Sequence, residues 1–535
     1  MKQETTNITQ PQQPKPLSEE QIKKDFSVKN TYGDFTKVAL YEEVIDPQTS
    51  KAQGLVHIMN PYEKNQVVIS LATQASRKDV EDLVQKVSPI PEFCRMLSKM
   101  AQCYEQGLPL IIEGGTALGK TFMINRFTEL LYGKGAKPLD FYCSGQTDVS
   151  ELMGKWVPNV GASAETQAKW SKFIESEYGQ KRSAEIHRAV QESGDALSTE
   201  DRSKMYQAQL KGLVQDAGFN DTSQFTFQYG AVPKAFSGEY RDGKFMVREG
   251  AEGFILHIQE VGLAKPAVLN CLLRVRGEQG ELADSIQLWE DGGRHVHKGP
   301  KACIVFSTNP VEGFLDRKPI DPALSRGVEW LRLGAELSGD SIKMIARQIF
   351  SYNLGNDQEP KNRHVLLDLR KAPEIAETLT LAMVAIHQTF AKHFNLGDSD
   401  DPQKTPVVMD NMCKVSRDLL EHQVKDTHGG VNLAATLERA ITNTYLDRAK
   451  EDGRGELVKQ LEDRLYGDTS KAMFEGNNET LAARLNILAK RALAAQSSAK
   501  PGSTTIKSEV EGVVNKRILG DAMTLLQAGL NKLFK

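Results

Sequence analysis

Long apolar runs are missing from this sequence. No stretch reaches the roughly 18 consecutive apolar residues that a membrane-spanning helix requires, so we predict no such helix. The first sixteen residues, MKQETTNITQPQQPKP, are polar and lack the apolar segment of a secretory signal. We therefore expect the protein to be cytoplasmic.

Cysteine is scarce as well. The chain has six cysteines, which lie at positions 94, 103, 143, 271, 303 and 413. They include no Cys-x-x-Cys pair and no spacing typical of a metal site, which favours a reducing compartment over a disulfide framework or a zinc finger. Cys271 and Cys303 lie inside apolar runs, and we predict that both are buried thiols.

An excess of charge of one sign is also absent. Lys and Arg number 67 against 70 Asp and Glu, which leaves a formal net charge of -3. This balance predicts no general attraction to nucleic acid or acidic membranes, and the sequence has no basic stripe with interleaved aromatic residues. The motifs of zinc proteases, α/β-hydrolases and dinucleotide-binding folds are missing too.

The centre of the chain does carry a clear pattern of buried strands. Short runs that are apolar throughout, rather than alternating, lie at Leu108–Ile112, Leu139–Cys143, Phe254–Ile258, Cys303–Phe306 and Val328–Leu333. Continuous apolar character is typical of strands covered on both faces, as in a parallel sheet between helices. Because a helix predicted at residues 121–132 follows the first run, we predict a three-layer α/β core with a parallel sheet.

Composition predicts the remaining organisation, since 535 residues correspond to roughly three or four structural units. We predict a disordered tail at 1–30, a small N-terminal segment at 31–85, the α/β core at 86–335 with a helical insertion near 160–222, an all-α lid at 336–450, and a helical C-terminal region at 451–535 with a linker near 494–505. A helix predicted at residues 509–534 has an apolar face, which packs on the body of the protein or docks on a partner.

The most specific motif follows the first core strand. It fits the pattern G-x-x-x-x-G-K-[ST] in full and consists of Gly114, Gly115, Thr116, Ala117, Leu118, Gly119, Lys120 and Thr121. Glycines let the backbone N–H groups of such a loop turn toward phosphate oxygens, and the following helix N-terminus favours an anion. We predict that ATP contacts these residues and Phe122, with Lys120 on the β- and γ-phosphates and Thr121 on Mg²⁺.

Three polar residues farther along the chain complete the predicted catalytic set. Glu260 ends an apolar strand and is placed to polarise the attacking water, unless it is only a surface carboxylate. Asn309 ends the next strand and is placed to hold the same water, although Asn before Pro is also a frequent turn residue. Arg326 is predicted to reach the γ-phosphate of a neighbouring subunit, the alternative being a surface ion pair.

These motifs, in this order, resemble an AAA+ ATPase of the MoxR and dynein/midasin-related branch. The resemblance also rests on segments 146–154 (QTDVSELMG), 227–235 (FQYGAVPKA) and 261–270 (VGLAKPAVLN), and on a predicted hairpin at Ser285–His297. It covers about 250 residues of the core. The resemblance implies a P-loop AAA+ fold followed by an α-helical lid, with ATP rather than GTP as the ligand.

The resemblance also implies roles and partners. Lys120 and Thr121 match the Walker A motif, Glu260 the Walker B glutamate, Asn309 the sensor-1 residue and Arg326 the arginine finger. Members of this branch mostly form hexameric rings that use ATP turnover to remodel or activate other proteins. Bacterial members often act beside a partner that has a von Willebrand A domain.

Two positions depart from the family pattern. Gln259 stands where the Walker B aspartate would help to hold Mg²⁺, so an amide oxygen replaces a full negative charge. Ala434 stands where a sensor-2 arginine is usual, and Arg439 is the nearest substitute. Three functions therefore stay open: a working but slow protein-remodelling ATPase, a nucleotide-binding scaffold or switch with weak or no hydrolysis, and a motor that translocates nucleic acid.

Overall fold

A computed structural model describes most of the chain. The described residues are 38–45, 52–72, 75–85, 87–115, 118–158, 164–192, 205, 208–209, 211–214, 216–217, 225–241, 244–248, 250–277, 280–291, 293–310, 320, 325, 327–333, 337–351, 366–393, 408–446, 454–467 and 480–498. The predictions for the tail at 1–30, the helix at 509–534, Thr116, Ala117 and Arg326 lie outside them.

The strands are short and lie in the first two-thirds of the chain. In chain order they are β1 (Ala39–Ile45), β2 (Ala52–Asn60), β3 (Asn65–Ser70), β4 (Leu110–Glu113), β5 (Leu139–Tyr142), β6 (Gly154–Pro158), β7 (Phe225–Tyr229), β8 (Gly238–Arg241), β9 (Lys244–Val247), β10 (Ile255–Gln259), β11 (Ser285–Leu288), β12 (Arg294–His297), β13 (Cys303–Thr308) and β14 (Glu329–Arg332).

Helices alternate with these strands and then follow them. They are α1 (Arg77–Gln85), α2 (Pro91–Gln106), α3 (Lys120–Tyr132), α4 (Val149–Met153), α5 (Ala164–Glu175), α6 (Glu177–Glu192), α7 (Ala231–Ser237), α8 (Pro266–Cys271), α9 (Gly339–Phe350), α10 (Pro373–His393), α11 (Val408–Glu421), α12 (Leu433–Ile441), α13 (Arg454–Tyr466) and α14 (Leu481–Ser498). No helix among the described residues is long and apolar enough to cross a bilayer.

The chain divides into two compact units, of which the first holds most of residues 1–334 and the second holds residues 335–535. The centre of the first unit is a five-stranded sheet in the order β14-β4-β13-β10-β5. All four neighbouring pairs are parallel, because a helix or a longer segment returns the chain to the same end each time. Counted along the chain, the order of these five strands is 5-1-4-3-2.

Apolar side chains explain why the central strands are buried on both faces. Ile255 to Gln259 are all buried in β10, and Cys303 to Thr308 are all buried in β13. Successive side chains of a strand point to opposite faces. Leu256 and Ile258 therefore join the core cluster on one face, whereas His257 and Gln259 point to the other. The α/β core with a parallel sheet that the apolar runs predicted is confirmed.

The first unit begins with a feature that the sequence pattern left undefined. Strands β1, β2 and β3 form a three-stranded antiparallel sheet. The turn between β2 and β3 includes Lys64, which has a left-handed backbone with φ 53°. We predicted only a small segment here because its apolar pieces are short and separated by turn residues.

The predicted insertion is helical, as α5 and α6 show, but it is not simply a solvent-facing segment. It emerges from an antiparallel ladder between β6 and β7, in which Pro158 is paired with Phe225. It also has a small core of its own, formed by Trp170, Leu213, Val214, Ala217 and Phe225. Two aromatic side chains bury enough surface to organise a segment with few other apolar residues.

The second unit is helical, as predicted. Helix α12 starts after Asn432, whose side chain accepts a hydrogen bond from the Ala435 N–H and caps the helix. Its C-terminal end continues as a π-helical turn at Thr442–Leu446. Helix α14 runs to Ser498 and so includes the start of the range 494–505 that composition assigned to a linker.

Most of the cysteines are buried and reduced. Cys94, Cys103, Cys143, Cys271 and Cys303 are buried free thiols, and Cys413 is partly exposed. The prediction that Cys271 and Cys303 are core thiols is confirmed. Burial raises the pKa of the Cys143 and Cys271 thiols to about 12, because the charged thiolate is poorly solvated there.

Candidate active site

The P-loop joins β4 to α3 in the arrangement that the motif requires. Gly119 has φ 77° and ψ 18°, a left-handed conformation that glycine adopts without a steric penalty. This turn lets α3 begin at Lys120, directly after the loop, so that the helix N-terminus faces the carboxyl end of the sheet. Free N–H groups at that terminus favour bound anions.

The Lys120 ammonium group lies inside the loop. Its Nζ atom donates hydrogen bonds to the carbonyl oxygens of Gly114, at 2.6 Å, and Gly115, at 2.8 Å. A third bond, of 2.9 Å, goes to the Oδ1 atom of Asn309. Asn309 is buried at the end of β13, the strand beside β4. Two residues that the sequence separates by 189 positions therefore meet at one ammonium group.

Thr121 and Phe122 occupy the first turn of α3. Thr121 is exposed, which leaves its hydroxyl on the open side of the helix. Phe122 is partly buried, with its ring 5.8 Å from that of Phe93 on α2 and beneath the guanidinium group of Arg126. The Phe122 side chain thus packs between α2 and Arg126 of its own helix, and a contact with nucleotide would come from its backbone.

The end of β10 carries the two residues that the family resemblance assigns to the Walker B position. Gln259 is 7% exposed, and its Nε2 atom donates to the Oδ1 atom of Asp140 over 2.8 Å. Glu260 has φ 56° and ψ 40°, the left-handed region that glycine favours. Such a conformation costs a non-glycine residue on the order of 1–2 kcal/mol. Backbone strain of this kind is found most often at functional sites.

Asp140, His257 and Ser307 form a polar chain across three neighbouring strands. His257 is fully buried, and its Nδ1 atom lies 2.9 Å from the Oδ1 atom of Asp140. Its Nε2 atom lies 2.8 Å from the Ser307 hydroxyl. An ionised carboxylate only accepts, so Nδ1 carries the proton; in the neutral ring Nε2 then accepts from Ser307. His257 is thus a hydrogen-bonded core residue.

The charge state of Asp140 follows from this network. Burial acts to raise the pKa of its carboxyl group, since the charged form loses solvation. The hydrogen bonds from His257 and Gln259 outweigh that effect, and the pKa lies below its ordinary value of 3.8. Asp140 is therefore ionised at neutral pH, although its side chain is 34% exposed at the edge of the sheet.

The side chains at this end of the sheet fit a magnesium nucleotide. Lys120 supplies a cation for phosphate, and the Thr121 hydroxyl and Gln259 amide supply hard oxygen atoms of the kind that Mg²⁺ prefers. Within the described part of the chain, no group of three His, Cys, Asp or Glu side chains could hold a metal alone. Mg²⁺ typically relies instead on few protein ligands together with the phosphates of its substrate.

The sequence reasoning missed Asp140 and Ser307. Asp140 lies inside the run Leu139–Cys143, which reads as a core strand, and only the pairing of β5 with β10 brings it to Gln259. Ser307 lies on β13, which ends one residue before the predicted Asn309. An acidic or hydroxyl residue inside an otherwise apolar run was the available signal for both.

The sensor-2 position offers no cation. Ala434, near the start of α12, is buried, and its N–H donates to the Oδ1 atom of Asn486 on α14. Arg439, the nearest substitute, donates from Nη2 to the carbonyl oxygen of His422 within the same unit. The Arg439 side chain therefore contacts the His422 carbonyl oxygen, just after the end of α11.

Comparison with known proteins adds little to this geometry. No family model matches the chain, and no curated protein matches it. A Cytophaga hutchinsonii protein named as a candidate ATPase is 12% identical over 78% of this chain and 93% of its own, with a TM-score of 0.29. NtrX from Brucella abortus in complex with ATP is 13% identical over 78% of this chain and 72% of its own, with a TM-score of 0.30.

Proposed function

We propose that this chain is an AAA+ ATPase that binds Mg²⁺ and ATP at residues 114–122. The observation that carries the proposal is the meeting of Lys120 and Asn309 over 2.9 Å, at the carboxyl ends of adjacent parallel strands. In open α/β sheets ligands bind at that edge. The complete P-loop motif and the left-handed Gly119 support the same ligand.

Each residue then has a task in ATP hydrolysis. Lys120 exchanges its contacts with the loop carbonyls for the β- and γ-phosphate oxygens. Asn309 holds the attacking water, and Glu260 accepts its proton as the water oxygen bonds to the γ-phosphorus and ADP leaves. Thr121 and Gln259 would hold Mg²⁺, whose charge stabilises the phosphate oxygens when it is bound.

We propose further that activity depends on assembly. Arg326 would supply the arginine finger to the site of a neighbouring subunit, in a head-to-tail ring that is expected to be a hexamer. The resemblance to the MoxR branch supports a role in remodelling or activating a client protein, with a von Willebrand A-domain partner as one candidate. Residues 336–450 would act as the lid that moves during the nucleotide cycle.

The deciding experiment measures ATP binding and steady-state hydrolysis in parallel. The native chain is expected to bind ATP and release phosphate, whereas Glu260→Gln is expected to bind ATP with little turnover because the proton acceptor is lost. Lack of ATP binding by the native chain would refute the proposed site. Equal turnover in both proteins would remove Glu260 from the mechanism.

A subunit-mixing experiment tests the shared site. Arg326→Ala and Glu260→Ala are each expected to be inactive alone, and their mixture is expected to regain part of the activity. Sites that take Glu260 from one subunit and Arg326 from its neighbour are intact in the mixed ring. An inactive mixture that still co-assembles would show that Arg326 does not act across subunits.

A nucleotide-dependent switch is the second candidate function. The observation that favours it is the hydrogen bond from Gln259 to Asp140, which places a neutral amide where an aspartate usually helps to hold Mg²⁺. Tight ATP binding by the native chain without phosphate release, in an assembled ring, would support the switch over the motor.

A further inference from the structure

We propose that Asp140 is a positioning residue that supplies, through Gln259, the negative charge which the Walker B position lacks. This inference rests on the proposed magnesium nucleotide site. The carboxylate would then lie on the neighbouring edge strand β5 instead of at the end of β10. The Gln259 amide group would stand between that charge and the metal position.

The orientation of the Gln259 amide carries the first step. An ionised carboxylate can accept a hydrogen bond but not donate one. The Gln259 atom that faces the Asp140 carboxylate at 2.8 Å must therefore be the amide nitrogen Nε2. The amide oxygen is bonded to the same carbon and therefore points away from Asp140. The amide group of a glutamine without such a partner could turn either its nitrogen or its oxygen toward a cation. The Gln259 amide turns its oxygen toward the metal position.

The second step is the rigidity of the arrangement. His257 donates to the same Asp140 oxygen over 2.9 Å and is held from its other side by Ser307. His257 is fully buried between β5 and β13, so the imidazole ring cannot rotate away. Two donors, one of them on the buried ring of His257, thus hold the carboxylate in place, and outer groups of this kind orient metal ligands in other proteins.

Strand register carries the third step. Gln259 is paired with Ser307, which is paired with Ile112, two residues before Gly114. Gln259 therefore lies level with the end of the P-loop strand and one strand beyond β13. Asp140 is paired with His257, two residue pairs farther from that edge and on the same face. The carboxylate is near enough to polarise the amide but does not itself occupy the ligand position.

A magnesium titration of a bound fluorescent nucleotide tests the proposal. The native chain and Asp140→Asn are loaded with an N-methylanthraniloyl derivative of ADP, and MgCl₂ is added until binding no longer tightens. Asp140→Asn is expected to need roughly 10-fold more Mg²⁺ for half the effect, as is usual when an outer partner of a metal ligand is removed. Binding in EDTA is expected to be unchanged.

The exchanged double variant separates positioning from a structural role. Asp140→Asn with Gln259→Asp puts the charge on β10 and the amide on β5, and it is expected to recover most of the Mg²⁺ dependence. Gln259→Asp alone places two carboxylates together and is expected to gain less, because like charges that share a site disfavour each other's ionised form. Asp368→Asn, another hydrogen-bonded aspartate, serves as the matched control.

The outcomes are distinct. An unchanged magnesium midpoint in Asp140→Asn would overturn the inference, as would a Gln259→Asp effect of equal size with and without Asp140→Asn. Either result would leave the nucleotide site standing. A native chain that binds no nucleotide would instead remove the proposed function and this inference together. Recovery in the exchanged variant would support the inference even if Asp140→Asn alone were unstable.

Discussion

The two strand ends of the candidate site are built in different ways. At the end of β4, the geometry of the site is set by the backbone: Gly119 is left-handed, and two loop carbonyl oxygens hold the Lys120 ammonium group. At the end of β10, it is organised by side chains from three strands, with Gln259 joined to the Asp140 carboxylate. A loop built from consecutive residues tolerates few substitutions. In a network spread over several strands, the charged side chain can instead lie on a neighbouring strand.

The largest expected effect is at the backbone-built end. Lys120→Met removes the ammonium group that would bond the β- and γ-phosphate oxygens, and we expect about a 100-fold loss of ATP affinity, which is about 2.7 kcal/mol. Titration of a fluorescent nucleotide measures it. Lys134→Ala, an exposed lysine in a surface ion pair, is the control and should bind like the native chain. Similar affinity in all three proteins would show that the loop does not bind phosphate.

The next effect is on folding at the side-chain-built end. His257→Leu leaves the buried Ser307 hydroxyl without its partner and removes one donor to Asp140, so we expect a loss of about 2 kcal/mol of stability. Urea unfolding of the full chain measures the change. Ile258→Val removes one buried methyl group from the adjacent position and should cost about 1 kcal/mol. A smaller loss for His257→Leu than for Ile258→Val would mean that the polar chain adds no stability.

A substitution at Glu260 is expected to increase stability, in contrast to the loss expected at His257. Replacing it with glycine relieves the left-handed strain, so we expect the chain to gain up to about 1 kcal/mol of stability while ATP hydrolysis is lost. Lys64→Gly is the matched control, since Lys64 has a similar backbone in a turn far along the sequence. It should gain similar stability with unchanged hydrolysis. Destabilisation of Glu260→Gly alone would show that the glutamate side chain is held by contacts worth more than the strain.

The pH dependence of stability should sharpen the comparison. The pKa of Asp140 is lower in the folded chain than its ordinary value of 3.8, so its stabilising contribution is fully present above that value. The contribution is lost as the pH falls through the lowered pKa of the folded state. Asp140→Asn should therefore flatten the acid limb of the stability profile below about pH 4 and leave the neutral region parallel to that of the native chain. Identical acid limbs would contradict an ionised Asp140.

The smallest effect is expected from the insertion. Because Pro158 and Phe225 are paired at the end of the β6–β7 ladder, a two-residue Asn-Gly turn can join them in place of residues 159–224. We expect ATP affinity to stay within about twofold of the native value, since none of the site residues lies in that range. Loss of ATP binding in a folded protein would give the insertion a direct role at the site.

Much of the fold could be predicted because its determinants are local. The strand at Ile255–Gln259 is a continuous apolar run, and α3 starts directly after a recognisable loop. Asp140 could not be assigned to the site in the same way, because its role depends on the pairing of β5 with β10. Cross-strand register is set by the whole sheet and is not written in either strand. The left-handed backbone of Glu260 could not be predicted either, because a non-glycine residue adopts a positive φ only rarely.

The buried thiols can serve as probes of local unfolding. The N–H of Cys143 donates to the Gln259 carbonyl oxygen, and its thiol is shielded at the edge of the sheet. A thiol with a pKa near 12 reacts with an alkylating reagent only when local unfolding exposes it. The rate of Cys143 alkylation, read by mass spectrometry, would therefore report how often β5 separates from β10. Cys303, in the middle of the sheet, would report the much rarer opening of the whole core.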